Sequence, residues 1–151
     1  MAIATVDQKL LCALLRQRLP ALDFASGDLS ADVRSDVSGF RQFGALKGKL
    51  VLEIVSRGRN VLLSDVDVVW LSNPEPYLLS LTTAHVMSTT DCLSPSFENN
   101  RHAQLAYGIA RCAYLPGNRD GHAALNTGVL FFRPAAEAVA VAAAWRSRLL
   151  S

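Results

Sequence analysis

Residues 59–77 read RNVLLSDVDVVWLSNPEPY. An apolar run, Val61-Leu62-Leu63, leads directly into two aspartates one residue apart, and the chain returns at once to Val68, Val69, Trp70 and Leu71. No other stretch constrains the fold as much. Val61 to Leu63 reads as a buried strand. Asp65 and Asp67 then fall where a core would take Val or Leu. In an extended chain, residues two apart point to the same side, so strand geometry continued past Ser64 would present both carboxylates together. Two like charges ~4 Å apart repel by about 4 kcal/mol at an effective dielectric of 20. A divalent cation reverses that sign. Carboxylate oxygens are hard ligands suited to Mg²⁺, Mn²⁺ or Ca²⁺. The plain alternative is a turn whose aspartates cap the next segment or face water. The apolar flanks on both sides argue for the metal site.

The rest of the chain supplies a setting for such a strand end. Residues 2–6 read as a short strand. Asp7 is placed to cap a helix carrying Leu10, Leu11, Leu14 and Leu15, which Pro20 closes. Residues 22–40 lack a clean period and read as a loop-rich insertion. A second helix is expected from Ala45 to Arg57, with Leu46, Leu50, Val51, Ile54 and Val55 as its stripe and Gly58 as its stop. The quoted strand follows at 60–64, broken soon after by Pro74 and Pro76. Residues 85–90 (HVMSTT) form another strand candidate, 91–123 read as irregular, 129–132 as a strand and 135–150 as an alanine-rich helix. This alternation predicts an α/β chain with a mostly parallel sheet flanked by helices. In such a sheet, ligands bind beyond the carboxyl ends of the strands, which is where the aspartate pair lies.

Composition bounds the function. The chain has 151 residues, enough for one domain with a core, and its net charge of +2 leaves no electrostatic footprint for nucleic acid. No apolar run approaches the ~20 residues of a membrane span, and no basic leader marks a signal peptide. None of the three cysteines forms a C-x-x-C pair, which argues against a zinc site. Cys12 reads as a small core residue. Cys92 and Cys112 could pair only in an oxidising compartment.

The stretch LEIVSRGRNVLLSDVDVVWLSNP resembles the D-x-D segment of nucleotide-diphospho-sugar transferases of glycosyltransferase family 77, which includes plant and algal arabinosyltransferases and xylosyltransferases. Two further segments agree in order. MSTTDCLS (87–94) resembles the strand and Ser-Thr-Asp-Cys run of that family, and ALNTGVLFFRP (124–134) its Leu-Asn-(Thr/Ser)-Gly strand. The terminal AAAWRSRLL resembles the helix that follows. The likeness covers about residues 2–150.

This resemblance implies a GT-A fold, a Rossmann-like sheet with a UDP-sugar donor site, and transfer of a pentose (arabinose or xylose) or galactose to a glycan or glycoprotein acceptor with retention of configuration. It implies that Asp65 contacts the sugar or ribose side and that Asp65 and Asp67 hold Mn²⁺ or Mg²⁺ against the diphosphate. Asn126, Thr127 and Gly128 would line the donor. The Asn126 amide can donate to and accept from hydroxyls, and Gly128 permits close backbone approach; read alone, the three residues are an ordinary turn into a strand. Lys47 is a candidate for a phosphate contact. Asp91 is the candidate catalytic residue, holding hydroxyls or stabilising an oxocarbenium-like charge, with Asp120 as the alternative. The family also implies the Golgi lumen.

The chain departs from the family's pattern. It begins at what resembles the middle of the nucleotide-binding half and stops before most of the acceptor-binding half, so a single partial domain over 1–151 is expected. No motif supplies the later metal-ligating histidine of many GT-A enzymes, and His122 reads as a loop residue. The alternative function is a truncated, non-catalytic nucleotide-sugar-binding module. Haloacid-dehalogenase-like phosphatases also place D-x-D after an apolar strand. They need a later lysine and a further acidic pair, and here no lysine follows Lys49.

Overall fold

A computed structural model describes residues 2–24, 37–90 and 125–151. They belong to two compact units, residues 1–50 with 142–151 and residues 51–141. In the first unit, strand β1 (Ile3–Thr5) pairs in parallel with β2 (Ala21–Asp23), with helix α1 (Gln8–Arg16) between them in sequence. Asp7 caps α1 as its position predicts: its Oδ1 accepts from the Lys9 and Leu10 backbone N–H groups at 2.7 and 3.2 Å. The helix ends in a Schellman motif. Arg18 takes the left-handed conformation (φ 57°), its N–H donates to the Leu15 carbonyl, and the Leu19 N–H donates to that of Leu14. Cys12 is exposed, not a core residue. One residue on from Leu11, it is rotated about 100° off the Leu11/Leu14/Leu15 stripe.

Helix α2 (Val37–Val55) begins eight residues before the expected Ala45. Its buried positions are Ala45, Gly48, Val51 and Val55, so the inward face is rotated from the expected stripe. Glycines 44 and 48 lie one turn apart on it. A Cβ at Gly48 would stand 3.2 Å from the Arg146 Cβ, and one at Gly44 would stand 2.9 Å from Leu149 Cδ1. Gly44 and Gly48 therefore let the last helix, α4 (Ala136–Leu150), approach closely within the first unit. Gly58 stops the segment as read, with φ +73° and open space around it. Its conformation, and not crowding, favours glycine.

The second unit is built on a three-stranded sheet. Its order is β3 (Val61–Ser64), β5 (Leu125–Phe132), β4 (Val86–Thr90). Strand β5 is central and antiparallel to both neighbours, with Phe132 opposite Val61 on one side and Val86 on the other. Strands β3 and β4 therefore run parallel to each other, linked through helix α3 (Glu75–Ser80), with β5 between them. The α/β class holds, but parallel pairing is confined to β1–β2 among the described strands. Hydrophobic period reveals a strand and not its direction, so the "mostly parallel" sheet was not recoverable from the pattern. Val51, Val55, Val61, Leu130, Phe131, Phe132 and Ala138 make the buried core of this unit.

Pro74 and Pro76 do not simply break the chain. Pro74 is the N-cap residue of α3 and Pro76 lies in its first turn, where a missing N–H costs nothing. Asn73 Oδ1 accepts the Glu75 N–H at 3.0 Å. The other end of α3 is held by Arg133, just past β5. Its Nη2 donates to the carbonyls of Leu78, Leu79 and Leu81 at 2.8, 3.0 and 3.2 Å, and its Nε donates to that of Ala84 at 3.0 Å. A cation at a helix C-terminus satisfies orphan carbonyls and complements the dipole.

Candidate functional site

Strand β3 delivers Ser64 to the sheet edge, paired opposite Val129. The next contact is the Asp65 N–H donating to the Gly128 carbonyl at 2.7 Å, which fixes the Asp65 backbone against β5. The strand then stops. The Val68 N–H donates to the Asp65 carbonyl at 3.2 Å, so residues 65–68 form a turn. The condition for same-side carboxylates, continued strand geometry, does not hold. Nor is the setting buried. Asp67 is exposed, and Val66, Val69 and Leu71 are 97, 80 and 97% exposed. The turn reading is right for the backbone, and the question becomes what the turn presents.

Facing Asp65 is an irregularity in β5. Strand β4 pairs Ser88 with Leu130 but Thr89 with Asn126, so Thr127, Gly128 and Val129 are passed over. Asn126 accounts for the kink. Its Oδ1 accepts the Gly128 N–H at 2.5 Å, an Asx-type contact that bends the strand locally. Gly128 has no room for a side chain: a Cβ there would lie 2.7 Å from Asn126 Oδ1 and 3.3 Å from Asp65 Oδ2. The Asp65 carboxylate thus lies against the backbone of the Asn-Thr-Gly bulge. Asp65, Asn126 and Gly128, 61 or more residues apart along the chain for the aspartate, are brought together. Thr127 sits exposed between them.

Two residues outside the motif complete this edge. The Trp70 Nε1–H donates to Ser64 Oγ at 3.2 Å, and the Ser64 hydroxyl in turn donates to the Asp65 carbonyl at 3.2 Å. The sequence signal was the spacing alone, a serine before and a tryptophan after the aspartates. Lys47 belongs to the first unit, where its Nζ lies 5.5 Å from the centroid of the Phe43 ring. Asp91, Asp120, His122, Cys92 and Cys112 lie outside the described residues.

The donor chemistry fits a hard cation. Among the described residues no group of three or more Asp, Glu, His or Cys side chains converges on a metal site. Two carboxylates are too few for a closed structural zinc site. Asp65 and Asp67 would supply two hard oxygen donors, and a Mg²⁺-type cation held by them would take its remaining ligands from phosphate and water.

The nucleotide-diphospho-sugar transferase family model matches residues 1–151. The chain is 29% identical over 149 residues to arabinosyltransferase XEG113 of Arabidopsis thaliana, covering 99% of this chain and 21% of that protein. It is 38% identical over 70 residues to beta-arabinofuranosyltransferase RAY1 of Arabidopsis thaliana, covering 46% of this chain and 13% of that protein. It is 39% identical over 57 residues to UDP-D-xylose:L-fucose alpha-1,3-D-xylosyltransferase MGP4 of the same plant, covering 38% of this chain and 16% of that protein. The chain thus spans about a fifth or less of the length of these relatives. No solved structure gives a significant match. With the motifs in order and the family model matched from end to end, the chain belongs to the nucleotide-diphospho-sugar transferase family, and its α/β architecture is the GT-A fold which that family implies.

Proposed function

We propose that the chain is the donor-binding part of a metal-dependent glycosyltransferase, moving a sugar from a UDP-sugar to a glycan or glycoprotein with retention of configuration. The observation that carries this reading is the Asp65 carboxylate seated on the Asn126–Gly128 bulge at the carboxyl end of β3. A pentose donor is favoured, because the relatives are named arabinosyl- and xylosyltransferases; galactose is the other donor to test.

Asp67 and Asp65 would hold Mn²⁺ or Mg²⁺. The chemistry such a cation would supply is neutralisation of the leaving diphosphate, with these two carboxylates holding the cation in place. Asp65 faces the sugar or ribose side, and the Asn126-Thr127-Gly128 segment lines the donor. The Asn126 Oδ1 accepts the Gly128 N–H, which holds the amide in the bulge. Lys47 is assigned a phosphate contact and Asp91 the catalytic role, both on the family's pattern. The Golgi lumen follows from the same pattern.

Calorimetric titration of UDP into the purified chain tests this, with Mn²⁺ or EDTA, on wild type and Asp67→Ala. Binding that needs Mn²⁺ and disappears in Asp67→Ala is expected. Absence of binding to the folded chain sinks the reading. Mn²⁺-dependent binding with no turnover of any UDP-sugar would make the chain a binding module without transfer.

A further inference from the structure

The apolar residues between and after the aspartates, Val66, Val69 and Leu71, gain little from packing. Val66 and Leu71 are each 97% exposed and Val69 is 80% exposed, so burial of these side chains does not hold the turn in place. Hydrogen bonds tie it to the sheet. The Asp65 N–H is fixed on the Gly128 carbonyl, and the Asp65 carbonyl accepts from both the Val68 N–H and the Ser64 hydroxyl. A serine hydroxyl has one proton to give and lone pairs to receive with. Donation from Trp70 Nε1 to Ser64 Oγ therefore occupies a lone pair and leaves the proton for Asp65. Seven residues of chain, Ser64 to Trp70, are closed into a loop by that indole contact.

The peptide between Asp65 and Val66 is the pivot of this arrangement. Its carbonyl orientation sets where the chain goes next, and so where Asp67 stands relative to Asp65. We propose that Trp70 and Ser64 are positioning residues for the aspartate pair: the indole N–H orients the Ser64 hydroxyl, which fixes the 65–66 peptide and with it the spacing of the two carboxylates toward a divalent cation. This rests on the metal-dependent reading above. Neither residue needs to touch the cation or the sugar nucleotide. Two carboxylates are few ligands for one cation, so their mutual placement decides whether both bind at once.

The test is direct measurement of Mn²⁺ binding to the purified 151-residue chain, by the electron paramagnetic resonance signal of free Mn²⁺, with and without UDP. Trp70→Phe keeps an aromatic ring and removes the N–H donor together with part of the indole surface. Ser64→Ala removes the relay, and Ser64→Thr keeps the hydroxyl. Trp70→Phe and Ser64→Ala should each weaken Mn²⁺ binding about three- to tenfold, the effect of losing roughly one hydrogen bond. Ser64→Thr should retain affinity. The Trp70→Phe/Ser64→Ala double variant should bind no more weakly than Ser64→Ala alone, because the two act in series. Melting in EDTA separates a merely structural role, which would lower the metal-free melting temperature and leave Mn²⁺ affinity of the folded chain unchanged. Wild-type affinity in Trp70→Phe overturns the inference alone, provided Asp67→Ala still abolishes binding. Equal Mn²⁺ binding by wild type and Asp67→Ala, or none by either, overturns the metal reading and the inference with it.

Discussion

Gly128 shows how a single missing side chain shapes the candidate site. Among the described glycines only Gly58 has a positive φ, so the demand at Gly128 is for room. A methyl group there would stand 2.7 Å from Asn126 Oδ1 and 3.3 Å from Asp65 Oδ2. The first distance forces a shift, and the amide oxygen cannot yield freely because it accepts the Gly128 N–H. Gly128→Ala should therefore displace the Asn126 amide and the Asp65 carboxylate together. The expected outcome is a loss of about 1–3 kcal/mol in urea unfolding, the range for overpacking, with a fall of at least about tenfold in Mn²⁺-dependent UDP affinity by calorimetry. Unchanged affinity would mean that the bulge does not seat the carboxylate. At this scale the sequence was informative about residue type and less so about cause. Asp65 stands out through D-x-D, whereas Asn126 and Gly128 enter only through the family resemblance, because Asn-Thr-Gly alone reads as an ordinary turn. That Gly128 makes space for a carboxylate depends on β3 lying beside β5, which no local pattern encodes.

Elements were legible where their signals were local. The Asp7 cap, the Gly58 stop, and strands at 61–64 and 86–90 all follow from residues within a few positions of one another. Misreadings occurred where tertiary packing outweighed propensity. The reading of 22–40 as a loop-rich insertion leaves the first residues of α2 out of the expected helix, and Gly39 and Gly44 lower helix propensity there. Close approach of Arg146 and Leu149 accounts for Gly44 and Gly48 in that helix. Helix α3 was missed because prolines read as breakers, although its first turn accepts them. Its other end depends on Arg133, whose guanidinium reaches four carbonyls contributed by residues 49 to 55 positions earlier. No periodicity could single out that arginine. Arg133→Ala should cost about 1.5–3 kcal/mol in urea unfolding, as expected for charge-assisted hydrogen bonds. Arg133→Lys should recover less than half of it, since a single ammonium cannot span the same fork of acceptors. Full recovery by lysine would show that charge near the α3 C-terminus matters and the planar geometry does not.

At the scale of the whole molecule, the family match and the site cluster have different extents. The match runs from residue 1 to 151, whereas Ser64, Asp65, Trp70, Asn126 and Gly128 all fall within Val51–Val141. No helix among the described residues is long and apolar enough to cross a membrane. The strand order β3-β5-β4 brings the two motif-bearing strands side by side, so folding of the second unit and assembly of the cluster are one event. A ligand that needs the cluster must then stabilise the fold that creates it. With free UDP and Mn²⁺ at about 100 times their dissociation constant, linkage adds about 2.7 kcal/mol to unfolding. For a chain of this size, each kcal/mol raises the melting temperature by about 2–4 °C, so a rise of at least about 5 °C is expected in thermal unfolding. EDTA should remove it, and Asp67→Ala should show none of it. Mn²⁺ alone should give a smaller rise, because two carboxylates leave most of its coordination sphere to water until the diphosphate enters. If UDP gave the full rise in EDTA, the aspartate pair would have no part in holding the nucleotide. The turn at 65–68 would then be a solvent-facing end to β3, and its carboxylates would need another explanation.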